Sequence, residues 1–217
     1  VSLAFGSYGV HLFFMISGFV IFMTLERTRT AMDFAVSRFS RLFPAYWAAI
    51  LISAAVVYTV GMPSQRLPWR DVAMDFTMIQ QLLGAEHLDG SYWTLQVELF
   101  FYVQMLFWFM AGQLHRIRWI IVVWLALAVV CGIAEKNNIN LSYTLRELLI
   151  VRYIPYFALG VLFYRIRTRP QDRRGDICLI AMCLLAIGLA FKPVYLEVAA
   201  ISTAIFALFS AGWLGGL

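Results

Sequence analysis

Apolar residues come in long runs separated by short charged connectors, not in alternating strands or narrow amphipathic stripes. A helix crosses the hydrocarbon core of a bilayer with about 20 apolar residues, in a range of about 17–25. Seven stretches approach that length: residues 8–25, 42–60, 91–111, 119–134, 148–164, 177–191 and 194–217. The fourth and sixth are short, and only Lys192 and Pro193 part the sixth from the seventh. Helices of a soluble core would need a polar face for water, and these have almost none. The pattern predicts an all-α fold, a polytopic transmembrane helix bundle of about seven spans, in a single domain over residues 1–217. Between the second and third stretches, Val72, Phe76, Ile79 and Leu83 recur at helical spacing with Asp71, Asp75 and Gln80 on other faces. That spacing predicts a short amphipathic helix lying on the outer surface and roofing the bundle.

Composition narrows the class. The 217 residues are 62% hydrophobic and 13% charged, with a mean hydropathy of +0.79. A soluble domain carries about 25% charged residues, so a soluble enzyme, a nucleic-acid-binding domain and a disordered tail are excluded. The net charge of +5 is placed for a membrane surface. Arg27, Arg29, Arg38, Arg41, Arg116, Arg118, Arg165, Arg167, Arg169, Arg173 and Arg174 all fall in alternate connectors, facing one side. The positive-inside rule makes that side cytoplasmic and puts the N-terminus of the segment outside. Cys131, Cys178 and Cys183 sit in apolar runs, where a thiol acts as a small hydrophobe, and no cysteine–histidine metal spacing occurs. The chain opens on Val1 without a basic leader and stops beside an apolar run, the expectation being a piece of a longer protein.

Chemistry inside spans is expensive, so ionisable residues there are site candidates. His11, Glu98 and Arg152 qualify. Ser91, Thr94, Glu98 and Tyr102 share one helical face, which must point into the bundle or a wet cavity. Glu98 and His11 lie at similar depths below the outer ends of their spans, and a shared cavity is expected. The alternatives are a structural carboxylate paired with Arg152, and a histidine serving only as a helix contact. His87 and His115 read as surface residues. Arg38 and Arg41, three apart before Pro44 opens the second span, project to one side. Two guanidiniums there suit either bidentate phosphate binding or anchoring to anionic headgroups.

The segments around these residues carry a resemblance. Gly9-Val10-His11-Leu12-Phe13-Phe14-Met15-Ile16-Ser17-Gly18-Phe19, then Arg38-Phe39-Ser40-Arg41-Leu42-Phe43-Pro44-Ala45-Tyr46-Trp47, then Tyr92-Trp93-Thr94-Leu95-Gln96-Val97-Glu98-Leu99-Phe100-Phe101-Tyr102, stand in the order of three segments of the membrane acyltransferase 3 family. Tyr156-Phe157-Ala158-Leu159-Gly160 resembles a later helix of that family. The resemblance implies a bacterial inner-membrane O-acyltransferase. It would move an acyl group, acetyl by expectation, from cytoplasmic acyl-CoA to a hydroxyl of an exported or lipid-linked glycan, with no resident cofactor and no metal. Its partners would be acyl-CoA, the sugar acceptor and membrane lipids, with no nucleic acid. Glu98 and His11 are the catalytic candidates; Arg38, Arg41, Trp93, Tyr102 and Arg152 are the substrate-binding ones. The family commonly has Asp at the position of His11 and Ser at that of Thr94. The resemblance places its histidine base upstream of Val1, so residues 1–217 alone are expected to be inactive. The alternative from another class is a multi-pass transporter or flippase with Glu98 and Arg152 lining the path.

Overall fold

The computed structural model describes residues 4–61, 68–83, 90, 92–139, 142–191 and 193–214. Among them the secondary structure is helical: α1 (Ala4–Arg27), α2 (Ala31–Thr59), α3 (Trp69–Asp75), α4 (Trp93–Met110), α5 (Ile117–Lys136), α6 (Tyr143–Leu148), α7 (Ile154–Thr168), α8 (Arg173–Ala190) and α9 (Pro193–Leu214), joined in places by short 3-10 turns. The all-α expectation holds. Long helices lie on each of the seven apolar stretches, but among the described residues three segments are long and apolar enough to cross a membrane: Gly9–Arg27, Ala31–Thr59 and Leu114–Lys136. Helices α4, α7 and α8 fall short of that standard for visible reasons. Helix α7 has 15 residues, α8 opens with Arg173, Arg174 and Asp176, and α4 carries Gln96, Glu98 and Gln104. His87, Ser91 and the last three residues of the seventh stretch lie outside the described residues.

The helices form two compact units, one of residues 1–27 and 108–217 and one of residues 28–107. In the first unit α7 is the centre, with every residue from Ile154 to Arg165 buried. Helix α1 lies along it in parallel. Phe14 meets Phe157 at 4.9 Å, Phe19 meets Tyr164 at 5.3 Å, and Glu26 meets Arg169 at 2.6 Å, so the partners advance together. Glycines make the approach close. A Cβ on Gly18 would strike the backbone of Phe157, and one on Gly160 would strike the backbone of Met15 and Phe19. Helices α5 and α8 also run parallel to each other, with Arg118 beside Asp176 at one end and Gly132 against Ala190 at the other.

Four charges tie α5, α7 and α8 together near the C-terminal end of α1. Asp176 is fully buried, and its Oδ1 accepts from Arg118 Nε at 2.8 Å and Arg165 Nε at 3.3 Å. Arg165 Nη2 reaches Asp172 Oδ2 at 3.0 Å, and Arg118 Nη2 donates to the Asp172 carbonyl at 2.6 Å. The sequence pattern presented Arg118 and Arg165 only as cytoplasmic-side charges. In the fold they hold a buried carboxylate that would otherwise be unpaired in an apolar interior.

In the second unit the structure corrects two expectations. Pro44 does not open a helix; it lies inside α2, which runs unbroken from Ala31 to Thr59. The start is set earlier, where the Thr30 hydroxyl accepts from the Asp33 amide at 3.1 Å. Nor do residues 72–83 form one surface helix. Helix α3 ends at Asp75, Met78 takes a left-handed φ of 63°, and Gln80–Leu83 is a 3-10 turn. The segment runs down the side of α2. Trp69 stacks on Tyr58 at 4.4 Å, while Tyr46 OH donates to the Asp75 carbonyl at 2.7 Å and Trp47 Nε1 to the Phe76 carbonyl at 3.1 Å. Tyr58 and Tyr46 are twelve residues apart, about 18 Å along a helix. Asp75 and Gln80, expected on polar faces, are fully buried, and Gln80 Nε2 donates to Tyr46 OH at 3.3 Å. Helix α4 then returns antiparallel to α2, with Tyr92 OH donating to Ser53 Oγ at 3.0 Å and Tyr102 facing Phe34 at 6.4 Å.

Two stability predictions follow for the full-length protein in detergent. Gly160→Ala should destabilise it by roughly 1–3 kcal/mol through overpacking, while Gly9→Ala, whose Cβ would meet nothing within 4 Å, should leave thermal unfolding unchanged. Arg165→Met should cost about 1–3 kcal/mol, because Arg118 Nε still holds Asp176 Oδ1 at 2.8 Å. Combining it with Asp176→Leu should cost less than the two single losses added, as a double-mutant cycle would read.

Candidate functional site

Helices α2 and α4 bring three of the sequence candidates together. Glu98 and Tyr102 stand one turn apart on α4, both buried, and Tyr102 OH donates to Glu98 Oε1 at 2.6 Å. Across from them Arg38, 8% exposed, rests its guanidinium against two rings. Its Cζ is 5.7 Å from the Phe34 centroid and 5.9 Å from that of Tyr102. Arg38 and Phe34 are themselves one turn apart on α2, so helical spacing alone pairs the cation with its first ring. A guanidinium over an aromatic face gains about 0.5–2 kcal/mol, more when water is excluded. The three side chains form a continuous path of cation, phenol and carboxylate.

This path borders an apolar groove of about 140 Å³ lined by Phe34, Arg38, Phe39, Leu42, Tyr102 and Val103, among others. Phe39 and Phe43 stack on α2 with centroids 4.4 Å apart, and Trp47 meets Phe43 edge-on at 5.6 Å. Arg41 is exposed and does not line the groove. The structure therefore separates the two arginines that the sequence paired: one is packed on rings and one is open to the surroundings. Trp93 is half-buried at the first residue of α4. Gln96 was missed. It is 1% exposed, and neither of its side-chain polar atoms has a hydrogen-bond partner among the described residues. Its place in an apolar run of α4, off the Thr94–Glu98–Tyr102 stripe, hid it from a reading by face.

His11 and Arg152 belong to the other unit. His11 is 7% exposed, with its ring 4.5 Å from that of Tyr156 and 5.7 Å from that of Tyr195. Tyr156 OH donates to the Tyr195 carbonyl at 3.0 Å, which holds α9 against α7 beside the imidazole. Arg152 is exposed and lies in the turn before α7, not within a helix. Its Nη2 bonds Glu135 Oε1 at 2.9 Å, and Arg146 approaches the same oxygen at 3.5 Å. The ion pair recorded for Arg152 is thus with Glu135 on α5, and the sequence reading of an intramembrane arginine is corrected. Nearby, burial pushes the Glu147 carboxyl up, opposed by the pull of Arg152 and Arg146. His115 is exposed, as expected, with Nδ1 2.9 Å from the Gly112 carbonyl.

Comparison with known proteins bears on what these clusters serve. The chain is 25% identical over 136 residues to "Acyltransferase MdmB" of Streptomyces mycarofaciens, a match covering 58% of this chain and 35% of that protein. It is 31% identical over 124 residues to "Nodulation protein 10" of Rhizobium leguminosarum bv. viciae, covering 48% of this chain and 33% of that protein. The matched part therefore spans about a third of the length of these curated relatives. No solved structure matches. The profile of the acyltransferase 3 family, described as "Acyltransferase domain", matches residues 1–216. Carried over its whole length by that profile, with the Glu98–Tyr102 and Arg38 segments inside it, the chain belongs to the acyltransferase 3 family.

Proposed function

We propose that the protein of which these residues are part is an integral-membrane O-acyltransferase that takes an acyl group from cytoplasmic acyl-CoA and passes it to a hydroxyl of an exported or lipid-linked glycan. The observation that carries the reading is the path from Arg38 through Tyr102 to Glu98 beside an apolar groove. A cation on rings suits a phosphate-bearing donor, the groove suits its thin apolar arm, and a buried carboxylate suits a proton in motion. The family match and the acyltransferase name of one relative support transfer over transport.

In the reaction the acceptor hydroxyl oxygen bonds to the thioester carbonyl carbon and the carbon–sulfur bond breaks. The coenzyme leaves as its thiolate, and the hydroxyl proton passes to a base and then to that sulfur. Glu98 orients the acceptor or relays this proton, with Tyr102 fixing its rotamer through the 2.6 Å hydrogen bond. Arg38 contacts the donor phosphates, and exposed Arg41 guides the donor toward the groove from outside it. By the distribution of arginines the Arg38 end is cytoplasmic, in the inner membrane of a bacterium. Acetyl is the acyl group the proposal favours.

In the full-length protein, Arg38→Ala should weaken acetyl-CoA binding at least tenfold by equilibrium titration, and Arg41→Ala should weaken it less. Equal losses, or none, would return both residues to headgroup anchoring. Glu98→Gln should slow acetyl transfer by roughly 10²-fold or more with donor affinity retained. Tyr102→Phe should fall between Glu98→Gln and the unaltered enzyme. Transfer at the unaltered rate in Glu98→Gln would remove the carboxylate from the mechanism.

A further inference from the structure

The parallel helices α5 and α8 end together, where Gly132 packs against Ala190. Charged side chains from three elements gather at that end. Glu135 and Lys136 close α5, Arg146 and Glu147 come from α6, and Arg152 comes from the turn before α7. They line two adjoining cavities, of about 340 Å³ and about 70 Å³, that share Glu135, Arg152 and Phe191 in their walls. The turn itself is unusual. Ile150, buried and β-branched, takes a φ of 45° between Glu147 and Arg152, a region that such residues rarely adopt. That bend lets Arg146 and Glu147 line the same small cavity as Arg152.

These charges do not exhaust one another. Both arginines approach a single oxygen, Glu135 Oε1, Arg152 at 2.9 Å and Arg146 at 3.5 Å. Among the described residues, Glu135 Oε2 and the Glu147 carboxylate take no hydrogen bond or ion pair, and the arginines act on Glu147 only from further off. A guanidinium carries five N–H donors, so donors as well as acceptors are left over. Lys136 is spent on the Leu189 carbonyl at 2.6 Å. Guanidiniums and carboxylates thus face the cavity in equal number. A bare anion would meet the carboxylates there, and a bare cation would meet the arginines. A ligand with a phosphate and an ammonium on one short arm gives each wall group a partner of opposite charge. The carbonyl ends of α5 and α8 also meet here, and their partial negative charge favours the ammonium. The flanks indicate where such a ligand comes from. Val130 and Ile133 on α5, and Leu185 and Leu189 on α8, are exposed apolar side chains just below the cavity. Phe191 and Tyr195 stand in its wall, as aromatics do at a membrane–water interface. A lipid can seat its headgroup in the cavity while its acyl chains run along those apolar flanks.

We propose that this cavity seats the zwitterionic headgroup of a phosphatidylethanolamine-type lipid, its phosphate on Arg146 and Arg152 and its ammonium on Glu135 and Glu147. By the arginine distribution this end faces outward, so the lipid belongs to the outer leaflet. The binding does not rest on the acyltransferase reading above, and the lipid has no part in the transfer step.

The test uses the full-length protein in phosphatidylcholine nanodiscs carrying a little phosphatidylethanolamine with a diazirine high on one acyl chain, so that its headgroup is unaltered. Labelling is mapped by mass spectrometry and competed with unlabelled phosphatidylethanolamine, with phosphatidylglycerol and with soluble phosphoethanolamine. The expected result is label on residues 130–136 and 185–191, displaced by phosphatidylethanolamine roughly tenfold better than by phosphatidylglycerol, the worth of about one charge-assisted hydrogen bond. The bilayer's own phosphatidylcholine should compete poorly, because its quaternary ammonium has no N–H to give a carboxylate. Glu147→Gln should lower the label about as much and shift the preference towards phosphatidylglycerol, a reversal that loss of structure alone would not produce. Arg152→Gln should lower the binding of both lipids. Label elsewhere, or label unchanged in Glu147→Gln, would overturn the proposal. Displacement by phosphatidylglycerol as good as by phosphatidylethanolamine would make this a plain anion site, and displacement by phosphoethanolamine as good as by the lipid would make it a site for a soluble zwitterion; either sinks the lipid. The competition series uses the unaltered protein, so it decides the matter even where a variant does not fold.

Discussion

The close parallel contact of α1 with α7 is the constraint on which the first unit depends. Gly18 and Gly160 let the two backbones meet where any Cβ would collide. Between helices in an apolar setting there is little hydrophobic driving force, so van der Waals contact through small residues takes its place. The glycines belong to the two segments, Gly9 to Phe19 and Tyr156 to Gly160, whose resemblance to a known family was legible in the sequence. What looked like two separate signatures is one interface. This also explains why α7 reaches only 15 residues. A helix buried on every side from Ile154 to Arg165 meets protein rather than lipid, so its length is set by its neighbours.

The periodicity and hydropathy of the chain were enough to place the long helices, because an apolar run has few other ways to satisfy its backbone in a membrane. They failed where single side chains overrule a pattern. Pro44 reads as a helix start, yet α2 was already nucleated by the Thr30 cap, and one missing N–H does not end a helix supported on both sides. Residues 72–83 read as a surface helix because Val72, Phe76, Ile79 and Leu83 recur at helical spacing with Asp71, Asp75 and Gln80 on other faces. The hydroxyl of Tyr46 and the indole of Trp47 instead take up the carbonyls of Asp75 and Phe76. Those bonds link positions 29 residues apart, and no local window detects them.

The partners of the charges were illegible in the sequence. Arg118 and Arg165 obey the distribution that marks a cytoplasmic face, and the same two side chains neutralise Asp176 inside the bundle. A count of charges by side cannot show that both side chains hold a buried carboxylate. Arg152 shows the reverse error. It abuts an apolar run, so it read as intramembrane, but the turn centred on Ile150 ends before α7 begins and leaves Arg152 exposed beside Glu135. The departure lies in a single backbone angle, which composition does not encode. Glu98 and Tyr102, by contrast, were found correctly as neighbours on one face, since an i, i+4 relation is fixed by the helix itself.

The fate of Arg38 and Arg41 shows what helical spacing leaves undecided. Three residues apart, they project to roughly one side, and the sequence treats them as equals. Burial makes them unequal, because only Arg38 has rings beneath it, Phe34 from its own helix and Tyr102 from α4. The Arg38 guanidinium lies near two rings set at 72° to each other, with its Nη2 3.4 Å from Ser37 Oγ. An ammonium in its place would lack the planar fork of donors. Tyr102 meanwhile uses its ring for Arg38 and its hydroxyl for Glu98, so a charge arriving at the guanidinium is felt at the carboxylate through one rigid phenol. If acyl transfer runs as proposed, the donor's phosphates and the moving proton are coupled by that residue. Tyr102, which the sequence offered as the far end of a polar stripe and as a substrate-binding candidate, is the residue that joins Arg38 to Glu98.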